Sequence, residues 1–311
     1  MTDKANIAVI ILTYNEMLHL PRALQHIESF AREVFVVDSY STDGTVEFAR
    51  THGATVLQHP FENQARQFQW ALDNAPVTTD WVMRLDADEV VEADLASEIV
   101  ESLPLLTPDV AGVNLHRKTI FQGKFIRWGG RYPLTMLRIW RRGKARIEDR
   151  WMDEHIYLTE GRPVSFRGGF ADRNLEDLTH FTEKHNQYAS REALDVLNRR
   201  LRLFDEQPGL TAETTSRQAG IKRFLKESVY NRIPFEISAL AYFLFRYVAR
   251  LGFLDGRRGL IYHVLQGFWY RFLVGAKLRE LEAAVRGCST RKEVMREVSR
   301  LTRRKVGTDD D

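Results

Sequence analysis

The first third of the chain alternates short apolar runs with amphipathic stretches, and this alternation constrains the fold more than any other feature. AVIILT is followed by a helical pattern over 20–30, VFVVDS by one over 45–52, ATVLQH by one over 64–74, and WVMRLDADE by one over 93–103. Short runs of aliphatic and β-branched residues read as strands buried on both faces, and strands separated by helices imply βαβ units and a mostly parallel sheet. Ligands of such open sheets bind at the carboxyl ends of the strands. The polar clusters of this chain fall at those ends.

Beyond residue 103 the pattern changes. VAGVNLHRKTIF and TMLRIWRR alternate like half-exposed antiparallel strands, with Gly129, Gly130 and Pro133 marking the loop between them. From about Thr182 the chain turns helical, with a turn at Gln207-Pro208-Gly209 and then long apolar helices running into a basic tail. The expected fold is α/β: a Rossmann-like, mostly parallel sheet with a small antiparallel part and a helical C-terminal extension. The expected domains are 1–180, with a ligand-binding half over about 1–105 and a second half over about 106–180, and a helical region over 181–311.

A chain of 311 residues that is 44% hydrophobic has enough apolar material for a full core. Its single cysteine, Cys288, excludes an internal disulfide framework and a Cys-based zinc cluster, so any metal sits on oxygen or imidazole. The apolar run over 7–12 is too short for a signal-peptide core and reads as a buried strand, which sets the expected location as cytoplasmic.

Three polar motifs stand at strand ends. Thr13-Tyr14-Asn15-Glu16 follows the first strand, where it can contact a base and ribose or simply open a helix. In the segment from Asp38 to Thr45, residues 41–43 suit a helix cap, but a cap does not need Asp38, whose carboxylate can accept from a base N–H or a ribose hydroxyl. Leu85-Asp86-Ala87-Asp88-Glu89 closes the fourth strand. Strand alternation would bring Asp86 and Asp88 to one face, and two such carboxylates are costly together unless a cation joins them. Oxygen ligands of this kind suit Mg²⁺ or Mn²⁺.

Together, in this order, the three motifs resemble the family 2 glycosyltransferases over residues 5–155. The resemblance implies a GT-A fold and metal-dependent transfer of a sugar from a nucleoside-diphosphate donor, with inversion. Carried over by position, it makes Thr13, Tyr14 and Glu16 nucleotide contacts, Asp38 the base-recognising carboxylate and Arg66 a neighbour of the donor phosphates. Asp86 would lie near the ribose and metal, and Asp88 would be the principal metal ligand. Transfer also needs a general base on the acceptor hydroxyl. Trp151-Met152-Asp153-Glu154-His155 supplies the candidates, with Glu154 favoured over Asp153. His155 or His180 can add a metal ligand, and His180 is similar in context to the segment that closes over the donor in related enzymes. Tyr40 departs from the family, where glycine is common, so the base-side loop has its own shape here. The resemblance is to bacterial lipopolysaccharide and polysaccharide enzymes, and it implies a cell-envelope glycan or lipid-linked acceptor.

Charge and hydropathy add partner expectations. Eleven Lys or Arg over 116–150 face only Glu148 and Asp149, a balance suited to phosphates or an anionic surface. ISALAYFLF and GLIYHVLQGFWY are strongly apolar but shorter than the ~18–20 residues needed to span a bilayer. They read either as a helix pair lying at the headgroup level, giving peripheral contact with the cytoplasmic face of the inner membrane, or as a hairpin packed on the catalytic domain. A sugar-phosphate nucleotidyltransferase is the nearest rival enzyme, but it calls for a Gly-rich phosphate loop where this chain has TYNE. A non-catalytic binder of nucleic acid or anionic membrane would use the basic stretch, with Phe125, Trp128 and Tyr132 interleaved, and the basic tail. That reading leaves Asp38, Asp86 and Asp88 unexplained, and no nucleic-acid partner is expected.

Overall fold

A computed structural model describes residues 4–148, 155–201 and 234–302. The chain divides into two compact units, Met1–Leu175 and Glu176–Asp311.

The first unit is built on one large sheet. Its elements are β1 (Ala5–Thr13), α1 (Leu20–Ile27), β2 (Ala31–Asp38), α2 (Thr45–Thr51), β3 (Thr55–Gln58), α3 (Gln64–Asn74), β4 (Trp81–Asp86), β5 (Glu89–Val91) and α4 (Ala93–Ser102). These are followed by β6 (Val110–Phe121), β7 (Lys124–Ile126), β8 (Leu134–Arg141), β9 (Ala145–Ile147), β10 (Ile156–Leu158) and β11 (Arg162–Asp172). The strand order is β3-β2-β1-β4-β8-β6-β11-β5, with β7 on β6 and a separate β9–β10 pair. Strands β3, β2, β1 and β4 are parallel throughout, and β8 joins them antiparallel to both β4 and β6. The two stretches expected to run antiparallel are β6 and β8, and they pair with each other in that sense.

Period-two alternation in β1 explains why this sheet is covered on both faces. Ile7, Val9 and Ile11 pack with Leu20, Ala23 and Ile27 of α1 and with Leu95 and Ile99 of α4. Ala8 and Ile10 point the other way, toward Phe68 and Ala71 of α3 and Trp140 of β8. Phe68 meets Trp140 edge to face at 6.0 Å. Helix α1 stops at Ile27 rather than reaching residue 30, because Phe30 turns into the core and β2 must start at Ala31 to pair with Ala5.

The second unit is helical. α5 (Leu178–Leu201) starts earlier than Thr182, with the Asp177 side chain accepting from the His180 N–H at 2.8 Å. α6 (Phe235–Leu244) runs on through a π-helical turn over Phe245–Ala249. A short 3₁₀ turn over Gly252–Asp255 leads to α7 (Gly256–Tyr262), a second π-helical turn over His263–Trp269, α8 (Tyr270–Val285) and α9 (Arg291–Thr302). Ala193, Leu197, Leu281 and Val298 form a small core among α5, α8 and α9. Among the described residues no single helix is long and apolar enough to cross a membrane. The pair Phe235–Ala249 and Gly252–Val285, bent by 71°, satisfies length and composition together.

Candidate donor site

β1 and β2 end side by side, with Thr13 opposite Asp38 in the parallel register. The Asp38 carboxylate is fully buried. It accepts from the Thr13 hydroxyl at 2.9 Å, the Ser41 hydroxyl at 2.5 Å and the Ser41 N–H at 2.8 Å. The loops beyond are stitched together by further bonds: Asn15 N–H to Ser41 Oγ at 2.7 Å, Thr42 N–H to Asn15 Oδ1 at 2.9 Å and Glu16 N–H to Thr45 Oγ1 at 2.9 Å. The Met17 N–H donates to Asp43 at 3.0 Å. Burial pushes the Asp43 carboxyl up, but the hydrogen bonds from Thr45 and Met17 outweigh it and hold the group below its ordinary range. The STDGT segment therefore braces the TYNE loop as well as opening α2.

This geometry separates the residues expected at the nucleotide into two sets. Thr13 and Asp38 are turned into each other and hidden from solvent, with the Asp38 carboxylate closed off by the Thr13 hydroxyl and by Ser41. Tyr14 and Tyr40 are exposed, and Glu16 is half-buried with its carboxylate 2.7 Å from His19 Nδ1.

The acidic motif corrects one local expectation. β4 ends at Asp86, and residues 87–88 form a turn before β5, so strand alternation is not what relates Asp86 to Asp88. Both are nonetheless partly exposed, while Ala87 between them is buried. Their surroundings differ sharply. Asp86 faces Arg84 Nε at 3.1 Å through Oδ1 and Arg138 Nη2 at 3.3 Å through Oδ2. Arg138 also meets Glu89 at 2.6 Å, and Arg117 lies 3.5 Å from Glu89 and 3.8 Å from Asp172. Burial pushes Asp86 up, but Arg84 and Arg138 overcome it and hold this carboxyl well below the usual carboxylate range. Burial pushes Glu89 up to about 8 against the pull of Arg138, and the Asp86 charge adds to the rise. The like-charge cost expected of the motif is thus answered around Asp86 by guanidinium groups.

Asp88 is answered more weakly, with the Arg22 guanidinium beside its backbone rather than on its carboxylate. Its Oδ2 accepts from the Asn174 side-chain amide at 3.1 Å, and its backbone carbonyl accepts from Arg173 N–H at 2.9 Å and Arg22 Nη2 at 3.3 Å. No cationic side chain pairs with its carboxylate among the described residues. No group of three or more His, Cys, Asp or Glu that could hold a metal occurs among them either.

Of the remaining expected residues, Arg66 is half-exposed in the first turn of α3, where its guanidinium pairs with Glu62 at 2.7 Å. His180 is exposed near the start of α5, in the second unit. Asp153 and Glu154 lie outside the described residues. His155 is exposed, 4.0 Å from Glu148.

The basic stretch is not one phosphate-facing surface, because much of its charge is used within the unit. Arg117 and Arg138 pair with the acidic motif, and Lys118 pairs with Glu92 at 2.5 Å. Lys144 pairs with Glu160. Arg141 donates to the Val110 and Leu106 carbonyls and stacks on Trp81 at 4.4 Å, and Arg142 donates to the Val77 carbonyl. The three sequence motifs leave out His19, Arg22, Arg84, Arg138 and Asn174. Only Arg84, two residues before Asp86 on one strand, carried a local signal.

Residues 8–167, 160 of the 311 in the chain, match the family model described as glycosyl transferase family 2. An uncharacterized glycosyltransferase of Rickettsia prowazekii is 38% identical over 93 residues, which cover 30% of this chain and 31% of that protein. The chain thus spans under a third of the length of this relative. The lipopolysaccharide core biosynthesis glycosyltransferase LpsC of Rhizobium meliloti is 27% identical over 206 residues, covering 62% of this chain and 72% of that protein. Among solved structures, S. aureus TarS 1-349 aligns over 88% of this chain and 91% of its own at 15% identity, with a TM-score of 0.39. With the family model matched over more than half of its length, the chain belongs to glycosyl transferase family 2.

Proposed function

We propose that this chain transfers a sugar from a nucleoside-diphosphate sugar to a cell-envelope glycan or lipid-linked acceptor, with Mg²⁺ or Mn²⁺ bound at Asp88. One observation carries the reading: within the acidic motif, Asp88 alone combines partial exposure with a carboxylate that makes no direct ion pair among the described residues, the Arg22 guanidinium reaching its backbone carbonyl instead. Asp86 and Glu89 are already answered by arginine. A single protein carboxylate fits such a metal, since Mg²⁺ keeps several waters and takes its other ligands from substrate phosphates. Bound there, the cation would neutralise charge on the departing diphosphate.

The chain's own groups have distinct tasks in this reading. Asp88 holds the cation. Asp86, fixed by Arg84 and Arg138, borders the ribose. Tyr14 and Glu16 contact the nucleotide, while Thr13 and Asp38 act on the base once the Ser41 loop yields. Arg66 reaches the donor phosphates by exchanging Glu62 for them. Glu154, or Asp153, removes the proton from the acceptor hydroxyl, and one such base implies direct displacement with inversion at the anomeric carbon. The similarity to LpsC supports an envelope acceptor.

The C-terminal unit supports peripheral attachment to the cytoplasmic face of the inner membrane. Ile237, Leu240, Leu244, Val248 and Leu251 recur at helical spacing and are exposed, flanked by exposed Arg250, Arg257 and Arg258. The direct test is incubation with UDP- and GDP-sugars and Mn²⁺, followed by measurement of the nucleoside diphosphate released. Metal-dependent release that is lost in Asp88→Ala is the expected result. Release that survives that substitution would refute the assignment.

A further inference from the structure

We propose that Asn174 is a positioning residue for the metal-binding carboxylate, and that His19 holds the Asn174 segment in place so that the TYNE loop and Asp88 act as one unit. The inference rests on the proposed donor site and assigns two residues that none of the three motifs contains.

The segment after β11 is fastened at each residue. Arg173 N–H donates to the Asp88 carbonyl at 2.9 Å, and the Arg173 carbonyl accepts from Arg22 Nη2 at 2.6 Å. The Asn174 amide donates to Asp88 Oδ2 at 3.1 Å, and Leu175 N–H donates to His19 Nε2 at 3.0 Å. That last bond fixes the imidazole. Because Nε2 is an acceptor, the ring proton sits on Nδ1, which donates to the Glu16 carboxylate at 2.7 Å. His19 is buried, so its ring nitrogens are shielded from water although Glu16 and Leu175 are not. A continuous path therefore runs from Glu16 through His19 and residues 175–174 to Asp88.

The chemistry of Asn174 suits the task. A guanidinium at this place would neutralise Asp88, as Arg84 and Arg138 do for Asp86, and would compete with a cation. A neutral amide fixes one oxygen and leaves both the charge and the remaining lone pairs for a metal. Outer contacts of this kind typically contribute about 10–100-fold to metal affinity.

The test is Mn²⁺ binding, followed by water-proton relaxation, to the full chain saturated with whichever of UDP or GDP it binds, with nucleotide-only blanks subtracted. Asn174→Leu keeps the branched shape and removes the donor; about tenfold or greater weakening with an unchanged melting temperature is expected. Asn174→Gln, which retains an amide, should recover part of the loss, and His19→Leu should weaken Mn²⁺ binding by a smaller factor. Equal or tighter binding in Asn174→Leu, with binding lost in Asp88→Ala, overturns the positioning role and leaves the donor-site reading intact. Absence of Mn²⁺ binding in the unsubstituted chain overturns both.

Discussion

Glu89 and Asp86 sit three residues apart and respond to pH in opposite directions. Glu89 titrates near 4.5 when unfolded and near 8 in the folded chain, so the folded state retains a proton that the unfolded state has lost. Its contribution to stability is complete below about 4.5 and is lost as pH rises from there through 8. Glu89→Gln keeps an acceptor for the Asp86 N–H and cannot titrate. Thermal melts at pH 5 and pH 8 should show less loss over that interval in Glu89→Gln than in the unsubstituted chain; equal slopes would contradict the assignment. Asp86 is depressed, so its contribution is present above 3.8 and is lost as pH falls below that value. Two asparagine substitutions separate the acidic roles further. Asp86→Asn weakens charged hydrogen bonds to Arg84 and Arg138 and should cost about 1.5–3 kcal/mol in urea unfolding. Asp88→Asn, with one neutral side-chain partner, should stay within about 0.5 kcal/mol. The acidic motif was legible in sequence, but this division of labour was not. Arg138 and Asn174 come from distant strand and loop positions, where nothing in LRIWRR or DRNLE marks a partner for residues 86–89.

At the scale of elements, the four parallel strands were legible because their apolar runs are uninterrupted and the helices between them carry a clear apolar face. β11 was not. Its sequence, RPVSFRGGFAD, places two glycines where a strand ordinarily packs side chains. They are required by close approach: a Cβ on Gly168 would lie 2.3 Å from Leu95 Cα, and one on Gly169 would lie 1.9 Å from Glu92 Oε2. That approach lets α4 cross β11, a contact that no local pattern encodes. The bracing of TYNE by STDGT likewise depends on β1 and β2 being adjacent. Ser41→Ala removes one of three donors to the buried Asp38 and the acceptor for the Asn15 N–H. It should lower stability by about 1–3 kcal/mol, seen as a lower urea midpoint at constant slope. An unchanged midpoint would show that water replaces Ser41 without loss.

For the whole molecule, the helical character of the C-terminal part was legible in the sequence pattern, and the exposed apolar face of α6 arises from its spacing. Vesicles containing anionic lipid should cosediment the chain, with binding reduced several-fold by Leu244→Glu together with Val248→Glu; equal binding by the double variant would remove the membrane role from this face. The central claim concerns the donor site, and calorimetric titration with UDP and GDP, with and without Mn²⁺, tests it most directly when Asp88→Ala is titrated beside the unsubstituted chain. The account predicts that one nucleotide binds in a Mn²⁺-dependent manner and that the dependence disappears with the Asp88 carboxylate. Binding that is indifferent to Mn²⁺, or equally metal-dependent in Asp88→Ala, would contradict it.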